Sequence, residues 1–220
     1  MLEIYCINLD HRVDRWNEST SNYISHGLNP NLVQRWIAIN ESEFGALGCA
    51  KSHVSVLSHF LTRTNSHYCL ILEDDFDFVR PWDAFIECFN KFSEKQIDWD
   101  VILLTGTALT PYKIIDSNIT RVWRSHTTAG YFVSRNYASI LLGCFATGVT
   151  QLETMSDPAI RQLAISTTAI DILWQPLQRR DRWYIFTPSF GRQRPSFSDI
   201  EQGYRNYDPL TYGLSVTQAL

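Results

Sequence analysis

The chain carries no excess of positive charge: 19 Lys and Arg stand against 23 Asp and Glu, a net charge of −4. Nucleic-acid binders draw much of their affinity from phosphate neutralisation and normally show a basic balance, so no nucleic-acid partner is expected. Long apolar runs are also missing. None approaches the roughly 18 residues that cross a bilayer, so no transmembrane segment is expected. The opening MLEIYCINLDHR lacks a basic segment followed by an apolar one, so no signal peptide is read. The expected location is cytoplasmic, with at most peripheral attachment to a membrane. Cysteine is sparse and unpaired. Cys6, Cys49, Cys69, Cys88 and Cys144 make an odd count with no CxxC, which predicts free thiols in a reducing compartment.

What remains is ordinary globular material: 45% hydrophobic, 19% charged and 13% aromatic. A chain of 220 residues should bury about 70% of its unfolded surface. Repeats and low-complexity linkers are absent, so residues 1–220 read as one domain. The Pro-, Gly-, Ser- and Tyr-rich stretch 189–220 reads as an irregular tail.

Strand and helix signals alternate through the first half. Strands are predicted over 2–9, 32–39, 68–72 and 100–105, and helices over 12–27, 44–64 and from Pro81 onward. Such alternation predicts βαβ units and a mostly parallel sheet. The pattern then changes to a hairpin over 112–123, a strand over 129–134 and helices over 137–145 and 169–177. Pro176 is expected to end or kink the second of these. The last strand is predicted over 183–187.

YCLILEDDFDF is the most informative stretch. Four carboxylates follow a continuous apolar strand. If the chain stays extended, Glu73, Asp75 and Asp77 share one face and Asp74 points elsewhere. Clustered like charges call for a cation, and hard divalent ions prefer oxygen ligands. Asp75 and Asp77, an Asp-x-Asp pair, are the predicted metal ligands. The alternative is a solvated acidic turn.

Three weaker signals accompany it. The small-residue helix start GALGCAKSH could approach a ligand or simply pack tightly, and its spacing matches neither Walker A nor GxGxxG. In NLDHRVDR, Arg12 and Arg15 stand at i, i+3, able to clamp a phosphate or to pair with Asp10 and Asp14. Asp171 lies in the apolar TTAIDILW with Trp174 nearby, a setting for a general base or a helix start. Asp98, Asp100 and Asp116 sit at strand edges or in a turn, and Asp157 in a polar loop. Asp171 alone of these has an apolar frame and a nearby Trp, and on the residues alone both of its roles stay open.

Taken in order, these stretches resemble glycosyltransferase family 25. The blocks are INLDHRVDR, GALGCAKSH, LILEDDFDF, TTAGYFVSRNYASILL, TAIDILW and PSFGRQRPSFSDIE, reaching from residue 4 to about 201. The sequence departs from the family at Phe44–Gly45–Ala46, where Gly-Glu is usual. The resemblance implies a GT-A-type α/β fold, a Rossmann-like mixed sheet flanked by helices. It implies transfer of a hexose, galactose or glucose, from a UDP-sugar with inversion. The acceptor would be a glycan or a hydroxylated peptide, and the ion Mn²⁺, or else Mg²⁺. Carried over, Asn8, Arg12 and Arg15 would lie near the uridine, and Gly48, Ser52 and His53 would face the nucleotide. Glu73, Asp74 and Asp75 would form the metal and ribose motif, Asp171 the late aspartate and with it the preferred general base, and Ser198 and Asp199 the diphosphate side. The competing readings are a catalytically silent sugar- or nucleotide-binding module and a nucleotidyltransferase. The latter normally carries a Gly-rich, Arg-containing loop after its first strand, where this chain has NLDHRVDR.

Overall fold

The computed structural model describes residues 1–198 and 203–206. The first half contains β1 (Leu2–Asn8), α1 (Val13–Ser25), β2 (Val33–Ile37), α2 (Gly45–Arg63), β3 (Tyr68–Glu73), β4 (Phe76–Phe78) and α3 (Trp82–Glu94). Then come β5 (Val101–Leu103), β6 (Thr107–Ala108), β7 (Tyr112–Asp116), β8 (Ile119–Val122), β9 (Ser125–His126), β10 (Gly130–Ser134) and α4 (Arg135–Glu153). The chain continues through α5 (Pro158–Thr168), α6 (Ile170–Leu173), α7 (Gln175–Arg180), β11 (Trp183–Phe186), β12 (Gly191–Gln193), β13 (Ser196–Ser198) and β14 (Gly203–Arg205).

Eight strands form one mixed sheet in the order β2-β1-β3-β10-β5-β11-β8-β7. β1 runs parallel to β2 and β3, and β5 parallel to β11. β10 lies antiparallel between β3 and β5, and the β7–β8 hairpin closes one edge. The mixed α/β architecture flanked by helices is the one expected. Side chains of β3 alternate between two cores. Cys69 and Ile71 pack with α2 and α4, whereas Leu70 and Leu72 pack with Tyr23 of α1 and Phe85 of α3. A strand covered on both faces must be apolar throughout, which accounts for the uninterrupted YCLIL.

Arg135 ties the helical layer together. Helix geometry leaves the last carbonyls of α2 without partners. The Arg135 guanidinium donates to the carbonyls of Phe60, Leu61, Thr64 and Ser66, so α4 starts where α2 ends.

Three features differ from expectation. The helix predicted over 169–177 breaks at Trp174 into α6 and α7, and Pro176 occupies the first turn of α7, where its missing N–H costs nothing. Helix α5 has no counterpart among the helices expected from the sequence. Asp157, read as a loop residue, caps it by accepting from the N–H groups of Ala159 and Ile160. The stretch 189–220, read as irregular, carries three short strands among its described residues: β12 pairs with β4, and β13 with β14. All five cysteines are free thiols, as expected. Among the described residues no helix is long and apolar enough to cross a membrane.

Candidate active site

The parallel neighbours β1 and β3 end side by side, at Asn8 and Glu73. Ligands of open α/β sheets bind beyond such carboxyl ends. A cleft of about 770 Å³ opens there, and Arg15, Cys49, Glu73, Asp75, Asp171 and Gln193 are among its lining residues.

The acidic cluster is not extended. Asp74 and Asp75 form a turn between β3 and β4. Glu73, Asp74 and Asp75 all reach the cleft, while Asp77 does not. Asp77 is instead buried against Arg194 at 3.1 Å and Arg192 at 3.6 Å. The turn shifts the register by which Asp75 and Asp77 would have shared a face. Asp77 is therefore withdrawn as a metal ligand: its charge is already answered by two guanidinium groups.

Asp74, expected to point elsewhere, is the anchored member. Arg15 Nη1 donates to its Oδ1 at 2.8 Å and Asn8 Nδ2 to its Oδ2 at 2.7 Å. Arg35 Nε in turn holds Asn8 Oδ1 at 2.8 Å. Asn8 is thus buried as a positioning residue and is not part of the cleft wall. Arg12 is also outside the wall and pairs with Asp14 at 2.9 Å, one of the two roles open to it in sequence. Arg15 alone of the two lines the cleft, where Nη2 also donates to Ser196 Oγ at 3.0 Å. Ser198 ends β13, and Asp199 lies outside the described residues.

Asp75 is electrostatically exposed to its neighbours. Gln193 Nε2 donates to its Oδ2 at 3.0 Å. Its Oδ1 is buried without a hydrogen-bond partner. Burial first, then the charges of Glu73 and Asp74, push its carboxyl up to about 7.

The small-residue helix start lines the cleft, with Gly48, Ser52 and His53 on its wall, and also packs tightly. A Cβ on Gly48 would meet the Ile39 carbonyl oxygen at 2.6 Å. Ser52 Oγ, buried, accepts from the Ile39 N–H at 2.8 Å and donates to the Gly48 carbonyl at 2.7 Å. Both residues therefore fix the 39–41 segment that borders the cleft. Gly48→Ala must displace backbone and is expected to lower stability by about 1–3 kcal/mol, read from urea denaturation. His53 lies at the cleft floor, with Nδ1 2.9 Å from Tyr131 Oη and Nε2 3.2 Å from Glu73 Oε1.

Asp171 lies in the first turn of α6 and lines the cleft. Its Oδ2 accepts from the Thr127 N–H at 3.1 Å, and His126 Nδ1 stands 3.8 Å away. Thr127 and Gln193 escaped the sequence reading. Thr127 has φ +72°, a left-handed conformation that a β-branched residue rarely adopts. Its hydroxyl donates to Gln193 Oε1 at 3.1 Å. A chain of hydrogen bonds thus runs from Asp171 through Thr127 and Gln193 to Asp75. No local pattern marks it, since each link joins residues distant in sequence. Strain at Thr127 predicts an inverted ranking. Thr127→Gly should be more stable than Thr127→Ala by about 1 kcal/mol in urea denaturation, because only glycine relieves the conformation.

No protein-family model matches the chain, and no curated protein does. Solved structures do align with it. A197 from STIV matches over 93% of both chains at 13% identity, with a TM-score of 0.49. Mannose-1-phosphate geranyltransferase from Thermus thermophilus covers 89% of this chain and 60% of its own at 9% identity and a TM-score of 0.40. A glycosyltransferase involved in the glycosylation of the major capsid of PBCV-1 covers 91% and 96% at 11% identity and 0.40. At such identities and scores, function is read from the site.

Proposed function

We propose that the chain is a metal-dependent, inverting glycosyltransferase that moves a hexose from a UDP-sugar to an acceptor hydroxyl, of the kind found in family 25. The observation that supports this most is the juxtaposition of Asp75 and Asp171 in one cleft, joined through Gln193 and Thr127. Asp75 Oδ1, buried and unpartnered, is an oxygen ligand in want of a cation, which fits Mn²⁺ or Mg²⁺. A divalent ion bound there would supply neutralisation of the leaving diphosphate. Arg15, held by Asp74, turns its other terminal nitrogen to Ser196 on the cleft wall.

Asp171 is the base in this reading. With Oδ2 occupied by the Thr127 N–H, Oδ1 is left to take the acceptor's proton as its oxygen attacks the anomeric carbon. Direct displacement with inversion requires the base and the ion on opposite sides of the sugar. The acceptor is a glycan or a hydroxylated peptide.

A panel of UDP-sugars, assayed for UDP release with and without Mn²⁺, tests the reading. One UDP-hexose should be hydrolysed slowly without acceptor, and only with the ion. No release from any donor, together with no Mn²⁺-dependent UDP binding, would overturn it.

A further inference from the structure

Cys49 and His53 stand at i and i+4 on α2 and so project from one helix face. Glu73, the last residue of β3, comes to meet them. One ligand atom of each residue lies within 4.8 Å of the other two. We propose that Cys49, His53 and Glu73 form a second metal position, suited to a borderline divalent ion such as Zn²⁺. It goes beyond the transfer reading and does not depend on it.

The donor set carries the choice of ion. A thiolate, an imidazole and a carboxylate make a zinc-type set, whereas Mn²⁺ and Mg²⁺ favour oxygen alone. The spacing also fits. An ion with bonds of about 2.0–2.1 Å holds two tetrahedral N and O ligands about 3.3 Å apart. His53 Nε2 and Glu73 Oε1 are already 3.2 Å apart. Cys49 Sγ, within 4.8 Å of both, is the ligand that has to close in.

The surroundings are those of a held ligand shell. Tyr131 Oη stands 2.9 Å from His53 Nδ1, so the ring can offer Nε2 to the ion while its Nδ1–H is taken by the phenol oxygen. Thr128 Oγ1 donates to Glu73 Oε1 at 2.5 Å, which fixes the carboxylate with that oxygen toward His53, and the second lone pair of Oε1 is left for coordination. Tyr131 and His53 are fully buried, so these second contacts are rigid. Cys49, His53 and Glu73 all line the cleft, and Asp75 and Asp171 border the same space. Three protein ligands therefore leave the fourth tetrahedral position open to whatever enters the cleft, the arrangement of reactive rather than purely structural zinc sites.

Titration of the full chain with Co²⁺ as a spectroscopic probe tests the site. One equivalent should bind with a thiolate-to-cobalt charge-transfer band in the near ultraviolet, and one equivalent of Zn²⁺ should abolish that band. Cys49→Ser should lack the band, Cys88→Ser and Cys144→Ser should keep it, and Tyr131→Phe should bind about 10–100-fold more weakly. A band that survives in Cys49→Ser, or no band in the parent chain, overturns the assignment. A second measurement needs no variant. Zn²⁺ should protect Cys49 from alkylation, mapped by mass spectrometry, while Cys88 and Cys144 still react. Equal alkylation of Cys49 with and without Zn²⁺ overturns the site even if Cys49→Ser fails to fold.

Discussion

Asp171→Asn should lose about 10²–10⁴-fold in sugar transfer while binding UDP and Mn²⁺ as the parent does. The substitution preserves shape. The Asn oxygen can still accept from the Thr127 N–H that positions Oδ2 at 3.1 Å. The amide nitrogen that replaces the second oxygen cannot take a proton. The loss should therefore fall on kcat, with the donor KM nearly unchanged, because nothing that grips the donor is removed. Steady-state kinetics on the donor that responds in the UDP-release panel would show this. An Asn variant that transfers at near parental rate places the base elsewhere, and Asp199, which lies outside the described residues, is then the next candidate.

The sequence made the frame of this site legible because its signals are local. A continuous apolar run between polar turns located β3, and small residues followed by periodic apolar ones located α2. Contacts between distant segments were not legible. A two-residue period through residues 73–77 is what an extended chain would give, yet the turn at Asp74 and Asp75 breaks it. That single shift exchanged the roles of Asp74 and Asp77. Arg15 was visible as a cation after β1, but its partner across the sheet, Asp74, was not. Thr127 and Gln193 have ordinary neighbours in sequence and become meaningful only where β9, β12 and α6 converge. Helix α5 was a different kind of miss, since Asp157 followed by Pro158 is itself a readable cap-and-start signal. The i, i+4 placement of Cys49 and His53 was readable too, but without Glu73 beside it the pair is only a helix face.

Asp75→Asn should stabilise the metal-free protein at pH 8 and abolish most of its transfer. The sign follows from the proton balance. In the folded chain the carboxyl titrates at about 7, because burial and the charges of Glu73 and Asp74 oppose its ionisation. In the unfolded chain it titrates near 3.9. Between those values the folded state binds the proton more tightly, so stability is full at low pH and falls as pH rises toward 7. The Asn variant carries no such charge. It should match the parent near pH 4 and exceed it at pH 8 by roughly 2–4 kcal/mol, since each pH unit between the folded and unfolded titrations is worth about 1.4 kcal/mol. Added Mn²⁺ should raise the parent's Tm at pH 8 and leave the variant's unchanged, since the variant lacks the unpartnered carboxylate oxygen that invites the ion. Transfer should fall at least about 10²-fold with loss of the ion's charge neutralisation. Thermal unfolding at the two pH values, with and without Mn²⁺, separates the cases. A variant no more stable than the parent at pH 8 removes the buried-charge account of Asp75. A variant that keeps both its Mn²⁺ response and its activity moves the ion to other ligands.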